Sequence, residues 1–382
     1  MNEKTFRAEV AGWMTEHLTG EFACLRHRGG PGDEEAFPAL RKAWEQELAS
    51  GGWIGLSWPE AHGGRELPLS LQLAFHEEYV RAGGPGRTGH IGETLLAPTL
   101  IALGTPEQQR RFLPGIRAGR EFWCQGYSEP GAGSDLAAIT TRCWQEDGVW
   151  RIQGQKVWTS LAHESEWIFV LARSTPGSVG REGLTFLLVP LAQDGIEIQP
   201  IRQMTGEAEF NAVFFDGAKT DAGCVVGAPG DGWRVAMALL GFERGASTLG
   251  QQMHFIHELQ LVVDVARGNG AARDPVVRQR IADAWIGLEG LRHNATRMLS
   301  SAESSRPRPE TLIYKYAWSN WHRDLGQLAM DVLGAAGDLR SDDDAVRRLQ
   351  QVFFFSRADT IYAGTNEIQL NIIAERALAM PR

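Results

Sequence analysis

Cysteine is scarce in this chain, and no two cysteines lie close together in sequence. The four are Cys24, Cys124, Cys143 and Cys224, with no Cys-x-x-Cys pair among them. Disulfide frameworks and structural zinc sites are typically built from closely spaced cysteines, so the sequence indicates neither. Isolated cysteines of this kind favour a reducing compartment.

Long apolar runs and basic runs are also absent. No apolar stretch approaches the roughly 20 residues of a membrane-spanning helix, and the charged residues 1–7 lack the apolar core of a signal peptide. The formal net charge is −9 and no run of Lys or Arg occurs, whereas binding of nucleic-acid phosphates requires a basic face. We therefore expect a cytoplasmic protein that binds neither a membrane nor nucleic acid.

Two further kinds of site are not indicated. No Gly-x-Gly-x-x-Gly motif follows a strand and opens a helix, as a dinucleotide site of the Rossmann type requires. His254 and His257 are three residues apart in a helical region, a spacing that can hold a metal ion, but no third ligand is evident. The sequence therefore predicts no metal site.

The hydrophobic period changes twice along the 382 residues. Apolar residues recur at three- and four-residue intervals before residue 121 and after residue 227, which predicts helices. Between them lie short runs of β-branched and aromatic residues, which predict strands; the clearest are residues 139–145, 149–153, 167–172, 184–189 and 212–215. We therefore expect three domains, a helical one over residues 1–121, a β domain over residues 122–226 and a helical one over residues 227–382.

Two local signals mark boundaries within these regions. Thr105 followed by Pro106 predicts the N-cap and first residue of a helix. Asp147 followed by Gly148 predicts the tight turn of a β-hairpin, because both turn positions require positive φ.

The most informative segment of the chain is residues 125–135, which follow a predicted strand. It combines three glycines, two serines and an aspartate. Glycine allows close approach to the backbone, so the loop offers N–H groups and hydroxyls to a flat polar ligand or a phosphate.

Two later segments complete a pattern. Residues 154–160 read Gly-Gln-Lys-Val-Trp-Thr-Ser, and residues 362–376 contain Tyr-Ala-Gly-Thr-Asn-Glu followed by an apolar helical segment. In this order and spacing, the three segments resemble the acyl-CoA dehydrogenase family of flavoproteins, and the resemblance extends over nearly the whole chain. It implies a mainly α fold with a middle β domain: an N-terminal helical domain, a β-barrel-like domain and a C-terminal four-helix bundle. The cofactor implied is FAD, bound between the last two domains.

The resemblance also assigns contacts to the flavin. It places Ser128 and the backbone around Tyr127 at the pyrimidine edge, and Gly133 and Ser134 at the pyrophosphate. Trp158 would pack along the ring.

The hydrogen-bond donor to flavin N5 has two candidates. The resemblance implies Ser160, but Thr159 would take this role if the strand register differed by one residue, because neighbouring residues on a strand face opposite sides.

In this family, a neighbouring subunit completes the FAD site. Thr365 and Glu367 occupy the motif positions that contact the adenine half, and Gly334 and Gly337 lie in the segment that meets the pyrophosphate. Arg267 is the candidate for a phosphate contact to the partner subunit's FAD. The match is imperfect here, because the segment after Arg267 lacks the phenylalanine that most members carry.

The catalytic base is the main departure from the common family pattern. Many members have a glutamate where this chain has Ala363, whose methyl side chain cannot accept a proton. An alternative family arrangement places the glutamate on the first long helix of the bundle, directly before an arginine, and Glu243 followed by Arg244 matches it. The resemblance also implies that the Ala363 backbone N–H polarises the thioester carbonyl, and that Arg244 orients Glu243 or meets the ligand.

The implied reaction is α,β-dehydrogenation of an acyl-CoA thioester to the trans-2-enoyl-CoA, with electrons passed to an electron-transfer flavoprotein. The sequence is similar to bacterial members that act on bulky or steroid-like thioesters. A homo-oligomer (dimer or tetramer) or an α2β2 assembly with a related subunit is expected. The alternatives are a silent subunit of such a pair and a flavin-dependent monooxygenase of the same fold.

Overall fold

A computed structural model describes residues 2–30, 32–243, 246–300 and 309–381. Within these ranges, side-chain surroundings are described except at residues 243, 246–253, 296, 299–300 and 309–310. The described chain divides into two compact units, residues 1–29 with 34–248 and residues 30–33 with 249–382. Over the same ranges, no helix is both long and apolar enough to cross a bilayer.

The N-terminal region is helical, as predicted. Its α-helices are α1 (Glu3–His17), α2 (Pro38–Ser50), α3 (Leu69–Arg81), α4 (Ala97–Leu103) and α5 (Pro106–Arg117). Helix α5 begins where the sequence predicted it: the Thr105 side chain accepts from the Gln108 N–H, and the Gln108 side chain accepts from the Thr105 N–H. This reciprocal capping box satisfies two of the N–H groups that a helix start leaves unpaired.

The middle of the chain forms one mixed β-sheet. The strands are β1 (Trp123–Gly126), β2 (Arg142–Glu146), β3 (Val149–Ser160), β4 (Trp167–Arg173), β5 (Leu184–Pro190), β6 (Ile196–Ile201), β7 (Phe210–Asp221) and β8 (Val225–Val226). Their order is β6-β7-β3-β2-β4-β5-β8, and β1 pairs in parallel with β4. Strand β4 is buried along most of its length, because its alternate side chains pack into two hydrophobic clusters: Phe169 and Leu171 into one, and Ile168, Val170 and Ala172 into the other.

The β2–β3 hairpin confirms its sequence signal. Asp147 and Gly148 form the turn with φ values of 52° and 81°, as the primed turns of tight hairpins require. Strand β6 was not predicted. Its apolar residues are the half-buried Ile196, Ile198 and Ile201, and its other three residues are exposed, which leaves a short and weak periodic signal.

The C-terminal unit is helical. Its helices are α7 (Ala246–Asn269), α8 (Pro275–Ser300), α9 (Pro309–Leu312), α10 (Tyr314–Leu333), α11 (Asp344–Asp359) and α12 (Asn366–Ile372), and α6 (Gly232–Glu243) precedes them in the other unit. Helix α10 packs against both α8 and α11. Its buried residues, such as Trp318, Leu325 and Leu328, recur along its whole length. Helix α10 is therefore the central helix of this unit.

Candidate active site

The residues predicted for the flavin pyrimidine edge lie beside β3. The Val157 N–H donates to the Ser128 carbonyl at 2.9 Å, and the Lys156 ammonium donates to the Tyr127 carbonyl at 3.0 Å. The loop of residues 127–135, here called the Ser128 loop, is thus fixed against the strand that carries Trp158. The structure brings together two segments that are about 30 residues apart in sequence.

A buried ion pair anchors the Ser128 loop. The Lys156 Nζ lies 2.8 Å from the Glu129 Oε1, and neither side chain is more than 5% exposed. Glu129 also accepts from the N–H groups of Thr140 and Thr141 at 2.6 and 2.9 Å. These partners supply the hydrogen bonds that a buried carboxylate requires.

The pKa values of this pair follow from burial and mutual attraction. Burial alone would raise the pKa of Glu129, but the Lys156 ammonium and the hydrogen bonds from Thr140 and Thr141 lower it to about 2. Burial lowers the pKa of Lys156 to about 8, against the opposing effect of Glu129. Both groups are charged at neutral pH, so the loop is held by a full ion pair.

Trp158 stands on an irregular turn of β3. Its φ is 61°, and the pairing between β3 and β7 shifts register between Lys156 and Thr159. A non-glycine residue at positive φ is strained and is found most often at functional sites. Trp158 is 58% exposed and its ring lies nearly perpendicular to that of Phe210 at 6.0 Å, so the residue leaves aromatic surface open to a flat ring.

The two candidates for the N5 donor differ in their surroundings. Thr159 is fully buried, and its hydroxyl has no hydrogen-bond partner among the residues that the structure describes. Ser160 is only half-buried. The irregularity at Trp158 breaks simple strand alternation, so the structure leaves the choice between Thr159 and Ser160 a prediction.

The two residues predicted for the pyrophosphate, Gly133 and Ser134, are exposed at the end of the Ser128 loop. A Cβ added to Gly133 would meet no atom within 4 Å. The loop therefore leaves open space around the backbone at this point.

A second group of predicted residues lies in the helical unit, on the turn between α11 and α12. The turn consists of residues 360–365 and is here called the Ala363 turn. Ala363 has a φ of 51° and Gly364 a φ of 88°. Glycine is favoured at position 364, because residues with a side chain rarely adopt a φ of 88°.

The Ala363 turn is closed by hydrogen bonds on both sides of Ala363. The Asn366 N–H donates to the Thr360 carbonyl at 2.9 Å, the Gln369 side chain donates to the Ala363 carbonyl at 3.2 Å, and Thr365 caps α12. Within the described ranges, no atom accepts a hydrogen bond from the Ala363 N–H. Ala363 is an exposed residue, and a strained turn whose N–H group has no partner of its own is a suitable donor to a carbonyl oxygen.

The remaining cofactor candidates of this unit lie at two places. Glu367 is exposed in the first turn of α12, close in sequence to the Ala363 turn. Arg267 is exposed near the end of α7, and Gly334 and Gly337 follow the end of α10. The Asn269 side chain donates to the Val332 carbonyl at 2.8 Å, which brings these two helix ends together.

The predicted base is only partly described. Glu243 is the last residue of α6, but its side chain lies outside the described residues, and so does the whole of Arg244. For the part of the chain that is described, no three His, Cys, Asp or Glu side chains form a group suited to a metal ion.

Three domain descriptions of one family match the chain. They are "Acyl-CoA dehydrogenase, N-terminal domain" over residues 2–120, "Acyl-CoA dehydrogenase, middle domain" over residues 124–218 and "Acyl-CoA dehydrogenase, C-terminal domain" over residues 230–378. The chain belongs to the acyl-CoA dehydrogenase family.

Curated relatives and solved structures agree with this membership. The chain is 56% identical to acyl-CoA dehydrogenase IpdE1 of Mycobacterium tuberculosis, over 99% of this chain and 97% of that protein. It is 53% identical to IpdE1 of Mycolicibacterium smegmatis, with the same two coverages. The solved structure of the steroid acyl-CoA dehydrogenase Tcur3481–Tcur3483 superimposes with a TM-score of 0.87, at 29% identity and with coverage of 100% of this chain and 98% of that one.

Family membership establishes the activity and the cofactor. Acyl-CoA dehydrogenases are FAD-dependent oxidoreductases, so this chain is a flavoprotein that dehydrogenates an acyl-CoA thioester. The predicted fold class, a mainly α protein with a middle β domain, is confirmed. The site residues are compatible with a flavin, because Trp158 presents exposed aromatic surface and the Thr159 hydroxyl next to it is a buried polar group with no partner among the described residues.

Sequence reasoning missed the residues that hold these two segments in place. Lys156 and Glu129 each lie in a recognised motif, but their pairing across 27 residues carries no spacing signal. The same is true of Asn366, which accepts from the buried Ser319 hydroxyl at 2.9 Å across 47 residues.

Proposed function

We propose that Glu243 removes the α-proton of the thioester while the Ala363 N–H holds its carbonyl oxygen. The Ala363 turn carries the proposal: its residue 363 has no side-chain base, yet its N–H is unpaired among the described residues and its φ is 51°. A hydrogen bond to the carbonyl oxygen stabilises the negative charge that develops when the α-proton leaves. Glu243, at the end of α6, supplies the missing carboxylate, and Arg244 orients it.

The chain's residues divide the reaction between them. The Ala363 amide acidifies the α-carbon, and the Glu243 carboxylate accepts its proton. When bound, FAD supplies the acceptor for the β-hydride. Because proton and hydride leave adjacent carbons, the residues must hold the thioester in one orientation, which is the contribution of positioning to catalysis.

The cofactor contacts belong to the same proposal. Those for the flavin of the same subunit are Tyr127, Ser128, Gly133, Ser134, Trp158, Thr159 and Ser160. Those for the FAD of a partner subunit are Arg267, Gly334, Gly337, Thr365 and Glu367. The second set requires an oligomer, either a homo-oligomer or an α2β2 assembly in which this chain is the catalytic half.

The substrate proposed is a bulky, steroid-like CoA thioester, with an electron-transfer flavoprotein as the electron acceptor in the cytoplasm. The similarity to the Tcur3481–Tcur3483 steroid acyl-CoA dehydrogenase supports this substrate class. The ChsE4–ChsE5 complex of Mycobacterium tuberculosis, with a TM-score of 0.82 at 27% identity and coverage of 100% and 97% of the two chains, supports pairing with an unlike subunit.

The test is anaerobic titration of the purified protein with a series of acyl-CoA thioesters. We expect yellow protein that bleaches with a thioester of a polycyclic acid, and a Glu243→Gln variant that stays yellow but bleaches at least about 1,000-fold more slowly, because the amide cannot accept the proton. Glu60→Gln, a change at an exposed glutamate that begins a short 3-10 helix, is the matched control and should bleach at the wild-type rate.

Three results would contradict the proposal in different ways. Rapid bleaching of the Glu243→Gln variant would remove Glu243 from the mechanism. Colourless wild-type protein would favour the silent-subunit alternative, and flavin that binds only in its reduced form would favour the monooxygenase alternative.

A further inference from the structure

A buried cluster of charged side chains lies in the middle of the helical unit. His322 on α10 contacts Glu258 on α7 through its Nε2, 2.7 Å from the Glu258 Oε2, and contacts the Asp359 carboxylate on α11 through its Nδ1. The His322 and Asp359 side chains are 2% and 0% exposed. These three residues, here called the His322 cluster, link three helices.

The imidazole of this cluster is charged at neutral pH. Burial by itself lowers the pKa of His322, but the two carboxylates raise it to about 10. As an imidazolium it donates from both ring nitrogens, one to each carboxylate. The ring also stacks on Phe255 at 4.4 Å, which fixes its plane.

Other charged or titratable groups face the cluster from neighbouring positions. Burial raises the pKa of Glu258, but His322 outweighs burial and lowers it, and His254 and Arg348 add smaller effects in the same direction. Burial lowers the pKa of His254 itself. Lys315 donates to the Asp359 backbone carbonyl and lies 5.7 Å from the Tyr362 ring centroid. Both carboxylates of the cluster therefore have a cation close by.

Asp359 connects the cluster to the Ala363 turn. One of its carboxylate oxygens accepts from His322, and the other accepts from the Tyr362 hydroxyl at 2.7 Å. Helix α11 ends at Asp359, and Tyr362 directly precedes Ala363. The orientation of one buried carboxylate thus depends on His322 and in turn fixes the residue before the unpaired Ala363 N–H.

We propose that His322 is a positioning residue for the Ala363 amide and acts through Asp359 and Tyr362 to aim that N–H at the thioester carbonyl. The inference rests on the proposed carbonyl-binding role of Ala363. A buried charge cluster is a poor source of stability, because apolar side chains of similar volume often serve as well. Charged hydrogen bonds instead fix the orientation of the groups that they join. Orientation matters here because a displacement of about 1 Å at a catalytic group can cost about 100-fold in rate.

The experiment uses two variants that break the connection at different points. Tyr362→Phe removes one hydroxyl and leaves the three charged groups of the His322 cluster in place, so it is expected to fold. His322→Gln removes the imidazolium itself. Tyr316→Phe on α10 and the exposed His293→Gln on α8 are the matched controls, since neither side chain contacts the His322 cluster.

The probe is trans-cinnamoyl-CoA, an aryl-enoyl thioester that cannot be dehydrogenated and whose absorption moves to longer wavelength when its carbonyl is polarised. We expect a red shift on binding to the wild-type flavoprotein and the same shift in both controls. Tyr362→Phe and His322→Gln should show less than half of that shift. With an acyl-CoA substrate, we expect kcat to fall about tenfold in each of them, with KM within about twofold of wild type.

The outcomes separate this inference from the function on which it rests. A wild-type protein that binds the probe with no red shift would overturn the carbonyl role of Ala363. A wild-type shift that survives undiminished in Tyr362→Phe, with unchanged kcat, would overturn the role of His322 alone, whatever the stability of His322→Gln. A loss of unfolding stability with unchanged shift and kcat would make the cluster merely structural.

Discussion

Two buried charged groups hold the two candidate segments, and they are built in opposite ways. In the β-sheet, the Lys156–Glu129 pair holds the Ser128 loop: an anion whose pKa is lowered to about 2 and a cation whose pKa is lowered to about 8. In the helical unit, the two carboxylates of the His322 cluster raise the pKa of one imidazole to about 10. The first group contains one acid for one base, and the second contains two acids for one base.

This difference decides which pH each segment withstands. The pair in the sheet depends on a carboxylate that must stay ionised, so acid weakens it. The cluster in the bundle depends on an imidazolium that must stay protonated, so alkali weakens it. The two segments should therefore fail at opposite ends of the pH range.

The largest expected effect is on the sheet. Lys156→Met leaves the Glu129 carboxylate buried without its cation, which typically destabilises a protein by about 3–5 kcal/mol. We expect the Ser128 loop to detach, and FAD to be lost on gel filtration. Urea unfolding and flavin content of the purified protein are the measurements, with the exposed Lys219→Met on β7 as the control. A Lys156→Met protein that keeps both its FAD and its stability would show that the ion pair does not hold the loop.

The loss of folding stability at low pH should arise from protonation of Glu129. Its pKa in the folded protein is lowered from 4.5 to about 2, so its stabilisation is fully present above pH 4.5 and is lost as the pH falls toward 2. The expected loss is of order 3 kcal/mol. Hydrogen exchange of peptides covering residues 127–141, corrected for intrinsic rates, should show it. A Glu129→Gln variant should be weaker at neutral pH and should lose little more stability in acid.

The loss of folding stability at high pH should arise from deprotonation of His322. Its pKa is raised from 6.5 to about 10, so the stabilisation is fully present below pH 6.5 and disappears as the pH rises through 10. Peptides covering residues 314–333 should lose protection over this interval. Peptides covering residues 127–141 in the sheet are the comparison, because the Glu129 carboxylate, with its pKa lowered to about 2, does not titrate over this interval. An equal loss of hydrogen-exchange protection at alkaline pH in residues 127–141 and 314–333 would refute the contrast between the two units. A loss in residues 314–333 that is unchanged in the His322→Gln variant would also refute it.

The smallest expected effect concerns Ala363. Because its φ is 51°, Ala363→Gly should relieve backbone strain and stabilise the folded protein by about 0.5–1 kcal/mol. The backbone N–H remains, so kcat should stay within about twofold of wild type. Thermal unfolding and steady-state kinetics test this. A large loss of activity would mean that the methyl group itself takes part in the reaction.

Local features could be predicted from the sequence where a few neighbouring residues determine them. The Thr105 cap and the Asp147–Gly148 hairpin are of this kind, because the requirements for a helix start and a primed turn are met within four residues. The family resemblance located the Ser128 loop and the Ala363 turn for the same reason, since each is a continuous segment.

The supporting contacts could not be predicted, because they join residues that are distant in sequence. His322 lies 37 residues from Asp359 and 64 from Glu258, and nothing in helical periodicity marks a buried imidazole as a charged one. The positive φ of Trp158 depends on a shift in pairing between β3 and β7. Such a shift is a property of two strands together, so neither strand alone reveals it.

Exchange of the substrate's α-hydrogens with solvent tests whether Glu243 is the base. The enzyme is reduced first, so that hydride transfer is blocked, and is then incubated in D2O with a thioester that bleaches the oxidised wild type. Proton NMR follows loss of the α-hydrogen signal. We expect deuterium incorporation by the wild type and by Glu60→Gln, and none above the uncatalysed rate by Glu243→Gln. Incorporation by Glu243→Gln at the wild-type rate would contradict it.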